Sequence, residues 1–166
     1  MATWGAATFH VVLLITSVAL GLYGLGALGD TLSTLDTGSG LALFLVLWCT
    51  TWWSTRRATA GISMGNLEGQ ELLRIVLRGP LWGGLNGVLF FLALAVPVLI
   101  YLFISKLTPA AGMSDSIPAL LSGAITLLVA GSFLAFIIGS VTGLFFVVID
   151  LAFLRVLAVL LKVINS

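Results

Sequence analysis

Charged residues are scarce in this sequence. Only 7 lysines and arginines and 6 aspartates and glutamates occur among 166 residues, which is 8% of the chain. A soluble domain usually carries about 25% charged residues, so these side chains are too few to cover a water-facing surface. The net charge of +1 also argues against a nucleic-acid partner, because phosphate recognition needs clustered cations.

Cysteine and histidine each occur once, as Cys49 and His10. A single cysteine excludes an intrachain disulfide and a cysteine-rich metal site, and we expect Cys49 to pack as a small apolar side chain. With no second histidine and no acidic cluster, we predict no metal ion and no cofactor, and we interpret His10 as a hydrogen-bonded polar group near the membrane interface. The sequence also lacks the H-E-x-x-H, P-loop and G-x-S-x-G motifs, so we predict no catalytic residue and no enzymatic activity.

Apolar residues make up most of the chain: 60% of it is hydrophobic and the mean hydropathy is +1.24. We therefore predict a single all-α domain, residues 1–166, that forms a polytopic helical bundle in the lipid bilayer. The first apolar stretch is interpreted as a span rather than a cleaved signal peptide, because no basic residue precedes it. The predicted spans are residues 6–28, 38–55, 81–105, 117–138 and 144–164.

Tryptophans followed by arginines close the second span and predict its cytoplasmic end. Indole rings favour the headgroup region of a bilayer, and arginines beside them mark the cytoplasmic side. Four of the chain's seven lysines and arginines lie between residues 56 and 78, so we place this loop and the N-terminus in the cytoplasm of a multi-pass cell-membrane protein. The predicted interface anchors are Trp48, Trp52, Trp53, Arg56 and Arg57.

The loop segment from residue 66 to residue 79 predicts a short amphipathic helix on the cytoplasmic side. Glu71 lies three residues before Arg74, and Arg78 lies four residues after it, so the three side chains share one stripe. We interpret the segment as an interfacial helix, with a docking surface for a soluble partner as the alternative. Pro80 would then begin the third span, since proline fits the first turn of a helix.

The last apolar run, Pro118–Ile164, is too long for one span. As a single helix it would measure about 70 Å at ~1.5 Å per residue, against ~30 Å for the hydrocarbon core. We favour five spans with a turn at residues 139–143, because residues 144–164 show no polar face. The alternative is four spans ending in a long C-terminal helix. It is favoured by the weak turn chemistry at residues 139–143, and by Arg155 and Lys162, which it would place in the cytoplasm.

Small residues recur every four positions in two parts of the chain. In lipid, such stripes let helix backbones approach closely, and this packing holds membrane helices together. The predicted packing residues are Gly79, Gly83 and Gly87 in one stripe and Gly131, Ala135, Gly139 and Gly143 in the other. One stripe is expected to pack within the chain, and the other predicts either a homo-oligomer or further packing inside the same chain.

Asp150 is the only acid within an apolar run, and it is the strongest candidate for a functional residue. A carboxylate near the middle of a bilayer costs about 2.5–3.5 kcal/mol on insertion scales, so such groups usually face a bundle interior or water. The functional interpretation is an ion or proton pathway with Asn86, Thr126 or Thr142 nearby. The alternatives are a structural pair with Arg155 of another subunit, or an interfacial position if the chain has only four spans.

Two functions follow from these patterns. The first is a non-enzymatic small subunit or oligomeric scaffold of a membrane complex, which packs through its glycine-rich helix faces. The second is a small ion or proton channel or transporter whose pathway contains Asp150, Asn86 and Arg155.

Overall fold

The computed structural model describes residues 2–24, 26, 29, 37–60, 69–107 and 117–164. These residues form four helices and no strand, which confirms the predicted all-α class. The helices are α1 (Ala2–Gly24), α2 (Thr37–Ala58), α3 (Gln70–Leu107) and α4 (Ile117–Ile164).

Helix α4 is continuous, so the turn predicted at residues 139–143 is wrong. All 48 residues from Ile117 to Ile164 are helical, and neither Gly139 nor Gly143 has a positive φ. No residue in this stretch forces a reversal, and the stripe of small residues presents one uninterrupted face to α3. Because packing along that face continues through the glycines, the helix continues as well.

Helix α3 also runs further than the sequence predicts. Its first turns are the described part of the predicted amphipathic segment, and the chain remains helical through Gly79 and Pro80, where a break was expected. Pro97 lies inside the same helix. The helix begins directly after Gly69, whose φ of +54° is a conformation that L side chains rarely adopt. Residues 66–68 of the predicted segment lie outside the described residues.

Two helical segments in the described residues are long and apolar enough to cross a membrane. They are Leu72–Ser105 in α3 and Pro118–Phe153 in α4, and Trp4–Leu20 in α1 is a shorter apolar stretch. The full helices α3 and α4 measure about 57 and 72 Å at ~1.5 Å per residue, so both are longer than a hydrocarbon core of ~30 Å.

The four helices pack in chain order. Helix α1 packs on α2, α2 on α3 and α3 on α4, and α1 also reaches α4 through the side chain of His10. Helices α3 and α4 are antiparallel, because Gly79 meets Gly143 and Val147 whereas Gly87 meets Ala135.

This arrangement collects all five arginines of the chain at one end of the bundle, called here the arginine end. Arg78 donates a hydrogen bond of 2.9 Å from Nη1 to the carbonyl oxygen of Ala60, which joins the start of α3 to the end of α2. The C-terminal part of α4 lies at the same end, since α4 is antiparallel to α3. The arginines are Arg56, Arg57, Arg74, Arg78 and Arg155.

Candidate functional site

A histidine–carboxylate contact joins the first helix to the last. His10 Nε2 lies 3.1 Å from Asp150 Oδ1, so the imidazole donates a hydrogen bond to the carboxylate when this nitrogen carries a proton. The His10 side chain is 7% exposed and that of Asp150 is 46% exposed. The contact therefore has one buried partner and one partner open to its surroundings.

Helical spacing on both sides positions this pair. On α1, His10 shares one face with Ala7 and Val11, which are 0% and 1% exposed, so the ring belongs to the buried face of that helix. On α4, Phe146 lies one turn before Asp150. The Phe146 ring stacks on the imidazole with a centroid distance of 4.3 Å and an interplanar angle of 7°. The phenyl ring thus fixes the plane of the imidazole while the carboxylate meets its edge.

A second polar contact joins α2 to α3. Asn86 Nδ2 donates a hydrogen bond of 3.1 Å to Thr51 Oγ1, and Thr51 is buried. Asn86 Oδ1 is buried as well and has no hydrogen-bond partner among the described residues. A buried acceptor without a partner costs about 1–3 kcal/mol, so a polar group from outside the described residues, such as water, would stabilise this side chain.

Both contacts lie in the wall of one cavity of about 670 Å³ between the four helices. Along α3 the lining extends from Ile75 to Leu94, which is about 28 Å at ~1.5 Å per residue. Most of the wall is aliphatic or aromatic. The polar side chains in it are His10, Thr51, Ser54, Thr55, Thr59, Asn86, Thr142 and Asp150.

The two stripes of small residues face each other across α3 and α4. A Cβ atom added to Gly83 would collide with the carbonyl oxygen of Gly139, and one added to Gly87 would collide with that of Ala135. At Gly131 the neighbour is the ring of Phe91. At Gly83 and Gly87, any side chain larger than hydrogen would push the two helices apart, whereas at Gly131 the Phe91 ring would have to move.

The structure places the predicted pathway residues in different surroundings. Asp150 and Asn86 both line the cavity, as does Thr142, whereas Thr126 is exposed and is not part of the lining. Arg155 is exposed on α4 and is not part of the lining either.

The predicted interface anchors form an aromatic cluster with the N-terminus of α1. The ring of Trp4 lies 4.7 Å from that of Trp48 and 4.9 Å from that of Trp52, and Trp53 meets Trp82 edge-on at 5.3 Å. Trp48 Nε1 also donates a hydrogen bond of 3.1 Å to Thr8 Oγ1.

Two arginines complete this cluster. The guanidinium carbons of Arg56 and Arg57 lie 5.6 and 5.8 Å from the ring centroids of Trp52 and Trp53.

Sequence reasoning did not pair His10 with Asp150. The two residues are 140 positions apart, and no local spacing relates them. The sequence did contain one indication of the pair. The only histidine of the chain and the only acid in an apolar run each need a polar partner, and each could supply it to the other. Within the described residues no third His, Cys, Asp or Glu joins them.

Comparison with known proteins gives a family but no function. No curated protein matches the chain, and no solved structure matches it. One family model matches all of residues 1–166, and the chain belongs to that family, the family of unknown function DUF7965.

Proposed function

We propose that this chain is a non-enzymatic integral membrane protein that passes protons or a small cation through the cavity between its helices. Asp150 and His10 are the groups that exchange the proton or hold the cation. The observation that carries this proposal is the contact between these two side chains in the cavity wall.

The distribution of apolar and charged side chains supports a position in a membrane. On α4, Val129 and Phe133 are 68% and 66% exposed, and on α3 Tyr101 is 71% exposed. Such apolar exposure on helices this long suits lipid better than water. In a cell membrane, the positive-inside rule then places the arginine end, with its tryptophans, on the cytoplasmic side. The N-terminus lies on the same side.

The chemistry of the pair suits proton movement. Histidine exchanges a proton near neutral pH, and a carboxylate beside it accepts the proton or stabilises the imidazolium. The exposed fraction of Asp150 gives water or a cation access to the pair, while His10 is held in the protein interior. Because α4 is continuous, Asp150 lies three residues before the end of the apolar segment Pro118–Phe153, where the cavity reaches the arginine end of the bundle.

Hydroxyl groups on α2 extend this pathway along the cavity. Thr51, Ser54, Thr55 and Thr59 recur at helical spacing and all line the cavity. The hydroxyl of Ser54 donates to the carbonyl oxygen of Thr51, and that of Thr59 donates to the carbonyl oxygen of Thr55. Their oxygens keep lone pairs that accept hydrogen bonds from water. A water chain along these oxygens would connect the pair to the contact between Thr51 and Asn86.

The scaffold hypothesis remains a prediction, but it now needs a different surface. The glycine stripes on which it was based pack against each other within the chain. Assembly with another membrane subunit would therefore have to use lipid-facing residues outside these stripes.

Proton flux into proteoliposomes tests the proposal. Purified protein is reconstituted with a pH-sensitive dye inside the vesicles, and a potassium diffusion potential drives proton entry. Wild-type protein is expected to acidify the lumen faster than empty vesicles. Asp150→Asn, which keeps the size of the side chain and removes its charge, is expected to lower this rate by about tenfold or more, within the range of proton-transfer effects.

Two threonines on α4 supply a matched control. Thr142→Val changes a cavity-lining residue and is expected to slow flux, whereas Thr126→Val makes the same change at an exposed position outside the lining and is expected to leave flux unchanged. The proposal fails if wild-type vesicles behave as empty ones under both proton and monovalent-cation gradients. It also fails if Asp150→Asn transports as wild type does.

A further inference from the structure

We propose that the pocket formed by Trp52, Trp53, Arg56, Arg57 and Ala60 binds a phosphate group, supplied by the headgroup of an anionic phospholipid. These residues enclose about 330 Å³ at the arginine end of α2, and none of them lines the cavity between the helices. The site is therefore separate from the proposed proton pathway.

Two identical pairs of side chains build the pocket. Trp52 and Arg56 are four residues apart on α2, and so are Trp53 and Arg57, so each guanidinium lies over the indole of the preceding turn. The indoles hold the two guanidinium groups by cation–π contact but do not neutralise their charge. The result is two fixed positive charges side by side in the wall of one concave surface.

No carboxylate in the described residues balances these charges. Neither guanidinium has a hydrogen bond or ion pair there, and Asp150, the only acidic side chain whose surroundings are described, contacts His10 in the other cavity. Each guanidinium carries five N–H donors in a planar fork. With respect to the described residues, most of these donors remain available to a ligand.

Trp52, which lines the pocket, also carries a donor without a described partner. Trp52 Nε1 is buried and has no hydrogen-bond partner within the described part of the chain. Buried indole N–H groups usually find an acceptor, and no described residue supplies one to Trp52.

A phosphate group fits this set of donors. Guanidinium groups bind phosphate oxygens bidentately, and a phosphate has enough oxygens to accept hydrogen bonds from two forks at once, whereas chloride cannot bind a fork in this geometry. Tryptophan beside arginine is also the composition that proteins place at the headgroup level of a membrane. The apolar indole surface would then contact the glycerol and upper acyl region, which favours a lipid over a free phosphate ion.

Lipid binding by the purified full chain tests the site. Dioleoylphosphatidylglycerol and dioleoylglycerol, which differ in the phosphoglycerol headgroup, are titrated into detergent-solubilised protein and counted by native mass spectrometry. Inorganic phosphate is added as a competitor in a separate arm. The expected result is saturable binding of phosphatidylglycerol, little binding of dioleoylglycerol, and weak competition by phosphate.

Two double variants with the same loss of charge give the matched comparison. Arg56→Gln/Arg57→Gln is expected to weaken phosphatidylglycerol binding by about tenfold or more, because it removes both forks from the pocket. Arg74→Gln/Arg155→Gln removes two charges from the same end of the bundle but outside the pocket, and should change binding by no more than about twofold through long-range charge alone. Circular dichroism of both variants checks that the helices remain formed.

Three outcomes would overturn the proposal. Equal weakening by the two double variants would show a general charge effect rather than a site. Competition by phosphate at concentrations similar to those of the lipid would show that the source is a free phosphate. Equal binding of the two lipids would show that the headgroup is not recognised. If the glutamine double variant aggregates, the single variants Arg56→Gln and Arg57→Gln replace it in the same comparison.

Discussion

Gly83 lies at the closest approach of α3 and α4, and replacing it with alanine tests whether glycine is required there. A Cβ atom at this position would lie 2.7 Å from Gly143 Cα and 3.0 Å from Gly143 N, and it would collide with the carbonyl oxygen of Gly139. All three neighbours are backbone atoms of α4. No rotamer change can relieve the contact, so α4 as a whole must move.

The size of the effect follows from that movement. Carbon atoms in contact lie about 3.5–4.0 Å apart, so the helices must separate by roughly 1 Å. Where this separation opens a gap between facing atoms, those atoms lose up to about half of their dispersion energy. Overpacking of a tight contact costs about 1–3 kcal/mol. Alanine recovers up to about 1 kcal/mol through its higher helix propensity. The net expectation for Gly83→Ala is a loss of about 1–2 kcal/mol in the free energy of unfolding.

Gly123 is the matched control, because it lies on α4 and a Cβ atom added to it would have no neighbour within 4 Å. Gly123→Ala is expected to leave the free energy of unfolding unchanged or to raise it by up to about 1 kcal/mol, since only the propensity difference remains. Titration of both variants with sodium dodecyl sulfate in mixed micelles, followed by far-ultraviolet circular dichroism, measures the difference. The reasoning is refuted if Gly83→Ala unfolds at the same detergent fraction as Gly123→Ala or at a higher one.

Two further predictions concern the N-terminal packing and the continuity of α4. Trp48→Phe and Thr8→Val are each expected to lower the free energy of unfolding by about 0.5–1.5 kcal/mol, because either change removes their hydrogen bond, and the double variant should lose less than the sum of the two. In a Cys49→Ala background, the variants Arg57→Cys and Arg155→Cys should each react with a membrane-impermeant maleimide, and both should react from the same side of the membrane. Labelling of the Arg155 position from neither side would favour a hairpin in α4.

The helical class was predicted from the composition, because a chain with so few charges and so many aliphatic residues suits lipid, where helices satisfy the backbone hydrogen bonds. The predicted second span, residues 38–55, lies within α2 (Thr37–Ala58), which begins one residue earlier and continues through Arg56 and Arg57. The extent of α3 and α4 was harder to predict. Their length depends on packing against each other, and hydropathy alone does not report which faces of a helix are covered by a neighbour.

Part of the candidate site was visible in the sequence and part of it was not. Asp150 could be singled out because a charge in an apolar run is costly wherever the run lies. The role of His10 depends on how α1 approaches α4, and this is a property of the assembled bundle. The same applies to the contact between Asn86 and Thr51, whose residues are 35 positions apart and lie on different helices.

Nitrogen-15 nuclear magnetic resonance of the imidazole tests the central contact most directly, because the chain contains a single histidine and therefore gives one unambiguous set of ring signals. The protein is labelled at histidine and measured in lipid bilayers, as wild type and as Asp150→Asn. If His10 Nε2 is hydrogen-bonded to the carboxylate, the substitution will shift the Nε2 resonance. Identical Nε2 resonances in the two proteins would contradict the contact, and with it the proposed proton pathway.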